Sequence, residues 1–373
     1  IVGSYFNTRG SGVVAKLGTD GQVFTSTGAG LSQGFEAAAA GGDINFKNFL
    51  INGDMSVGQR GLAITAPNDD TYHLDRWLIL SDGNDAVDIT QSSTAPTNQL
   101  YSCALDVETA NKKFGIAQII ENKNCTGLIG QTATLSFKAK CSAVDKLDNV
   151  KAAIISWSST ADAVTSDLVS AWGVEGTNPT LASNLTYENT PANLSVTTSW
   201  ATYSVSAAID TASTTNVAVF IWSDVTDTTA GQFLYITDVQ LEVAAAATDF
   251  ERLPHDQVLL RCQRYYQKSF EYSTTPVDNS TKFEYHRISV FTGSSVSGII
   301  SYYKAEMRTT PTVTIYTSAQ SANGTGKISF YTGSWTNGDI EIQSGSTSKF
   351  FHLAGSCSSI LLAQFNYEAT AEL

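Results

Sequence analysis

From Phe46 to about Leu253 the chain is written in short β-branched and aromatic runs separated by polar turns. They include Trp77-Leu78-Ile79-Leu80, Gly115 to Ile120, Ala133 to Ala139, Ala152 to Trp157, Ala201 to Val205, Val217 to Trp222 and Phe233 to Val243. Such runs suit strands and are too short for helices, and several alternate with a period of two. In one of them Leu135, Phe137 and Ala139 would face a core while Thr134, Ser136 and Lys138 face water. With no helices between them, strands of this kind pair antiparallel and bury their apolar sides as two facing sheets. The expected fold class is all-β, with a β-sandwich over 46–253. Trp77, Trp157, Trp172 and Trp222 lie mostly in strand-like runs and are expected in the core.

One stretch departs from the pattern. Over 254–272, Pro254 suits a first helical turn, and Val258, Leu259, Cys262, Tyr265 and Tyr266 recur at helical spacing. Arg261, Arg264 and Lys268 follow toward the end of the helix dipole that favours cations. A connecting helix of about four turns is expected there. Residues 273–373 return to strands, with Asn323-Gly324 and Asn337-Gly338 as hairpin signals, and predict a second, smaller β-sandwich. Residues 1–45 hold too few large apolar groups for a core of their own. Val14, Leu17, Val23 and Phe24 would be wasted in a free linker, so an extended arm or shaft segment, buried against sister chains, is expected.

The net charge is -13, with no block of Lys and Arg, which argues against nucleic-acid or anionic-membrane partners. No apolar run approaches the roughly 20 residues of a membrane-spanning helix. Five cysteines, Cys103, Cys125, Cys141, Cys262 and Cys357, are widely spaced and odd in number, which favours reduced thiols over a disulfide framework or zinc site. Ile1-Val2-Gly3 does not open a signal peptide, and a preceding segment is expected.

The segment Asn48-Phe49-Leu50-Ile51-Asn52-Gly53-Asp54-Met55-Ser56-Val57-Gly58-Gln59-Arg60-Gly61, followed by Tyr72-His73-Leu74-Asp75-Arg76-Trp77, resembles the opening of a module found in bacteriophage tail fibres and other virion structural proteins. Leu234 to Val243 with Thr248-Asp249-Phe250-Glu251-Arg252 resembles that module's closing strand and exit, and Leu259 to Tyr266 the helix after it. Met307 to Thr314 and Tyr367 to Leu373 are similar to fibre C-terminal domains. The resemblance implies a carbohydrate-binding-module-like jelly roll in the first sandwich and a homotrimeric fibre or spike subunit. It also implies attachment to other virion proteins through the N-terminal side, assembly in the host cytoplasm, and a distal face that meets a host-surface glycan. A purely architectural head fibre or capsid decoration protein is the alternative, and a capsule-degrading tailspike the third reading.

Catalytic constellations are absent from the sequence. His73, His255, His286 and His352 belong to no HExxH pattern, and the acids at Asp69-Asp70 and Asp82 to Asp88 lie in turn-like stretches. No enzyme and no cofactor are expected. Jelly rolls of this type often hold a structural Ca²⁺ near their first and last strands, where Asp54 and Asp238 stand; the other reading of Asp238 is a solvent-facing strand residue. Sugars stack on aromatic faces, and the distal sandwich offers Tyr302, Tyr303, Tyr331 and Trp335. Trp335, in a Gly- and Asn-rich stretch, is expected either as a glycan or receptor contact or as packing across a trimer seam.

Overall fold

The computed structural model describes residues 46–278, 286–289, 295–317, 325–331, 334–356 and 362–373, with four short strands before them. The chain divides into two units, 1–45 and 46–373. In the first, Phe6–Asn7 pairs antiparallel with Val14–Ala15, and Gln22–Thr25 with Gly34–Ala37. The stretch read as an extended arm thus contains two local hairpins.

The second unit is nearly all β, as expected. Its first part is a sandwich of two six-stranded antiparallel sheets. Sheet A runs Leu185–Tyr187, Val150–Trp157, Asn216–Ser223, Phe114–Ile120, Leu78–Ser81, Thr71–Tyr72. Sheet B runs Ala201–Ala208, Thr132–Cys141, Phe233–Val243, Ser102–Val107, Val87–Ser92, Ala63–Ile64. Between them Trp77, Ile79, Ile116, Ile154, Val219 and Ile221 meet Ile89, Leu105, Leu135, Phe137, Ile236 and Leu241, all buried.

The continuous hydrophobicity of Val217 to Trp222 has a cause beyond that core. The outer face of sheet A is also buried: Leu80, Ile119, Ile155, Phe220 and Trp222 lie beneath Val164, Leu168, Val169 and Trp172. A strand covered on both faces has no reason to alternate. Buried charges pin this cover at one end. Asp224 sits between Lys113 and Lys151 (2.8 Å to the latter) and accepts the Gly176 N–H at 2.8 Å. Lys113 also donates to the Val174 carbonyl at 3.0 Å, and Lys151 to Asn178 Oδ1 at 2.9 Å.

Sheet B keeps the expected inward residues but not the expected wet ones. Thr134 and Ser136 point outward and are nevertheless buried, because residues 244–251 return across them. Thr134 donates to the Ala244 carbonyl at 2.7 Å, and the Glu251 N–H reaches Gln240 Oε1 at 2.8 Å. Lys138 pairs with Asp238 at 2.9 Å.

The connecting helix is shorter than its periodicity suggested, spanning His255–Gln263. Tyr266–Lys268 leaves it to pair with Glu368–Thr370, exchanging helical hydrogen bonds for sheet ones. Where a second sandwich was expected, the structure has one eight-stranded sheet, whose hub is the C-terminal strand Leu362–Thr370, paired with Tyr266–Lys268, His286–Ser289, Thr312–Tyr316 and Lys327–Tyr331. Beyond it the sheet continues through Trp335–Ile342, Phe350–Ser356 and Ser295–Tyr302. Phe330, Phe351, Leu353, Phe365 and Tyr367 form its core.

Residues 371–373 then enter the first sandwich. Glu372 pairs with Arg76 and, at 3.0 Å, with Arg60. The Arg76 guanidinium lies 3.7 Å from the Tyr265 ring centre and that of Arg60 3.9 Å from Tyr266. Tyr72 donates to the Leu373 carbonyl at 2.8 Å, and Arg308 to the carbonyls of Ala371 and Glu372, each at 2.8 Å. One buried carboxylate therefore serves two buried guanidinium groups.

Candidate functional site

The aromatics singled out in the C-terminal sheet do not converge. Tyr331 and Trp335 are directly opposite across a hairpin, with ring centres 5.3 Å apart, and both are half-buried. Thr332 and Gly333 lie outside the described residues, as does the expected hairpin signal Asn323-Gly324. Tyr302 is 69% exposed and packs edge-on against Phe350 at 5.7 Å. Register sets these pairs far apart: Ile342 opposes Leu353, so Phe350 lies past the end of the strand that Trp335 begins. At about 3.3 Å per residue that separation is roughly 30 Å along the sheet. Tyr303 corrects the expectation outright, since it is 8% exposed and its ring packs on Phe351 and Tyr367 in the core. Alternation explains it: neighbours on a strand end face opposite ways.

Asp54 and Asp238 are brought together, as their places in the opening and closing motifs suggested. The turn Asn52-Gly53-Asp54-Met55 seats on the last strand so closely that a Cβ on Gly53 would meet the Val239 carbonyl oxygen at 2.0 Å. Asp238 has φ 52° at a bulge of that strand and is buried rather than solvent-facing. Burial raises the Asp54 pKa, and the Asp238 charge adds to this. The donor set does not fit calcium. Asp54 accepts from the Ser56 hydroxyl at 2.9 Å, and Asp238 already has Lys138 at 2.9 Å and Arg252 at 3.8 Å. With both cations on Asp238 and burial disfavouring the charge of Asp54, little field is left for a divalent ion, and among the described residues no cluster of three acidic, His or Cys side chains joins them.

The open surface lies at the other end of sheet B, where the 244–251 return does not reach. There Phe233 and Tyr235 point outward from the closing strand with ring centres 5.6 Å apart, stacked at 15°. Trp200, just before strand Ala201–Ala208, meets Tyr235 edge-on at 6.3 Å and 62°. Lys140, opposite Tyr235 in register, holds its ammonium 5.1 Å from the Tyr235 ring and 5.6 Å from the Trp200 ring. All three rings are half-buried, so each keeps surface for a ligand.

Polar groups flank the rings. Asp106 is opposite Phe233 in the ladder, and its Oδ1 is buried with no hydrogen-bond partner among the described residues. Burial, followed by the neighbouring Asp88, raises its pKa. The Thr94 side chain lies against the Tyr235 hydroxyl, and Ser142 and Gln232 join at 2.7 Å beside Phe233. Two rings meeting at a steep angle, an acceptor and a cationic donor are the parts that hold a pyranose by its C–H face and hydroxyls. Nothing here assembles a nucleophile, base and oriented acid. Trp200 escaped the reading of the sequence because it is a lone aromatic outside any apolar run; the alternation of Phe233 and Tyr235 with Leu234 and Ile236 was its nearest signal.

No protein-family model matches the chain, and no curated protein matches it. Solved structures similar to parts of it include the enzymatically active domain of bacteriophage CBA120 tailspike protein 4, at 15% identity over 53% of this chain and 22% of that one, with a TM-score of 0.32. This chain thus spans about a fifth of that tailspike domain's length. A putative sugar binding protein from Bacteroides thetaiotaomicron matches at 15% identity over 53% of this chain and all of its own, with a TM-score of 0.33. The CBM22-1 xylan-binding domain from Paenibacillus barcinonensis Xyn10C matches at 11% identity over 51% of this chain, with a TM-score of 0.29.

Proposed function

We propose that the chain is a non-catalytic, glycan-binding fibre or spike subunit of a bacteriophage particle, assembled as a homotrimer. The observation that carries the glycan reading is the open aromatic platform of Trp200, Tyr235 and Phe233 with Lys140 and Asp106 beside it. The virion reading is supported by the ordered motifs from Asn48 to Gly61 and from Leu234 to Arg252. Attachment through the N-terminal side and assembly in the host cytoplasm belong to the same proposal. The buried, unpaired thiols of Cys103, Cys125, Cys141 and Cys262 accord with a reducing site of assembly.

The test combines solution mass with polysaccharide binding. Light scattering is expected to give three times 39.8 kDa. Trp200→Ala and Tyr235→Ala are each expected to weaken binding to host-surface polysaccharide about tenfold, the scale of one lost stacking contact, without changing that mass. A trimer that binds no polysaccharide would leave the architectural reading of a head fibre or decoration subunit. Shortening of the polysaccharide on incubation would revive the tailspike.

A further inference from the structure

A second concavity lies between the start of the first sandwich and the helix, a cavity of about 490 Å³. Its walls combine the rings of Phe46, Phe49 and Tyr265 with the cations Lys123, Arg261 and Arg264. Two of those cations are accounted for. Arg264 makes a two-pronged contact with Glu121 (3.0 and 2.8 Å), and Lys123 reaches the same carboxylate at 3.1 Å. The Tyr265 hydroxyl donates to it as well, at 3.0 Å.

Arg261 is different. Its guanidinium makes no hydrogen bond, ion pair or ring contact among the described residues, although burial pulls its pKa below the ordinary guanidinium range. The acid it feels, Glu251, stays beyond ion-pair distance and spends one oxygen on the Asn48 N–H at 3.0 Å. A guanidinium brings five N–H donors, and those of Arg261, half-buried at the wall of the cavity, are left free for an acceptor. In a chain of net charge -13 such a group is not a general means of attracting anions. It is a local one, set in a cavity of ligand size and walled by aromatic faces.

We propose that this cavity is an anion subsite for an acidic saccharide. Arg261 takes the carboxylate or phosphate of a charged sugar, and Phe46 and Phe49 take the apolar face of its ring. This deepens the glycan reading and rests on it, because it names an acidic surface polysaccharide as the polymer. Phe46 is 62% exposed, so a ring can reach it without displacing the core. The guanidinium fork matches either anion in bidentate fashion.

The full chain would be titrated with methyl glucuronide, glucose 6-phosphate and methyl glucoside at two salt concentrations. The two charged sugars are expected to bind at least about tenfold more tightly than the neutral one, and less tightly at high salt. The stronger of the two identifies a uronate or a phosphorylated polymer. Arg261→Gln is expected to lower charged-sugar affinity about 10- to 100-fold with no loss of thermal stability, since it has no partner to lose. Arg261→Lys is expected to restore part of that loss. Equal affinity for the neutral sugar, or indifference to Arg261→Gln, overturns the subsite. If the charged sugars fail while Trp200→Ala still weakens polymer binding, the subsite falls and the platform stands. If only Arg261→Gln matters, the platform falls instead.

Discussion

Glu372→Ala is expected to destabilise the 46–373 unit by about 3–5 kcal/mol, the usual scale for removing one partner of a buried ion pair. The carboxylate is all but buried and faces Arg76 and Arg60, whose own exposure is small. Its coulombic pull raises the Arg76 pKa against the opposing effect of burial. Without it two guanidinium groups stay in the interior, with tyrosine faces, the Ile119 carbonyl and, for Arg60, the more distant Asp75 as their company. Denaturation in guanidinium chloride would measure the loss, with Glu341→Ala as the control. Glu341 is an exposed strand residue, and its replacement is expected to fall within about 0.5 kcal/mol of the parent. A Glu372→Ala loss as small as the control's would mean that its ion pairs with Arg60 and Arg76 contribute nothing to the fold.

Acid is expected to act through His73. The imidazole is wholly buried, both of its ring nitrogens lack partners among the described residues, and its pKa falls to about 3, through burial first and the Arg60 charge second. A base whose pKa is lowered by folding is neutral in the native state while the unfolded chain already takes up a proton. Its contribution is complete above the unfolded pKa of about 6.5 and is lost as pH falls toward 3. At about 1.4 kcal/mol per unit the full loss approaches 5 kcal/mol, of which about 3 appears between pH 6.5 and pH 4. Asp54, Asp69, Asp70 and Asp75, whose pKa values burial raises, run the other way and gain as pH falls. The contrast between parent and His73→Phe isolates the histidine. The variant, whatever its absolute stability, is expected to lose about 3 kcal/mol less than the parent from pH 6.5 to pH 4. Parallel pH profiles would remove His73 from the account.

Strand identity was legible because period two survives in the sequence wherever one face is dry: Leu135, Phe137 and Ala139 point inward as read. What covers the other face was not legible. Thr134 and Ser136 are polar, short and buried, Thr134 hydrogen-bonded to a residue a hundred positions away, and nothing in their own neighbourhood announces it. The C-terminal aromatics were identified as a class but not as a place, since register decides which rings meet, and register is a property of pairs of strands. The pairing of Asp54 with Asp238 was visible in motif order, but the Lys138 that faces Asp238 comes from a neighbouring strand far back in the chain. Arg261 read as an ordinary cation near a helix end; that it lacks a partner is a fact about the space around it.

The seating of Glu372 bears on how the chain is made. A ribosome delivers the first sandwich well over a hundred residues before the carboxylate that neutralises Arg60 and Arg76. Until then the nascent domain must either keep those guanidinium groups hydrated, its Tyr72 to Trp77 corner ajar, or bury them without their main counter-charge. Any product of premature termination is left in that half-open condition, with Tyr265 and Tyr266 short of their final neighbours. Arrival of Glu372 thus lets the corner close, and quality control by proteolysis has a built-in mark for chains that stopped before it.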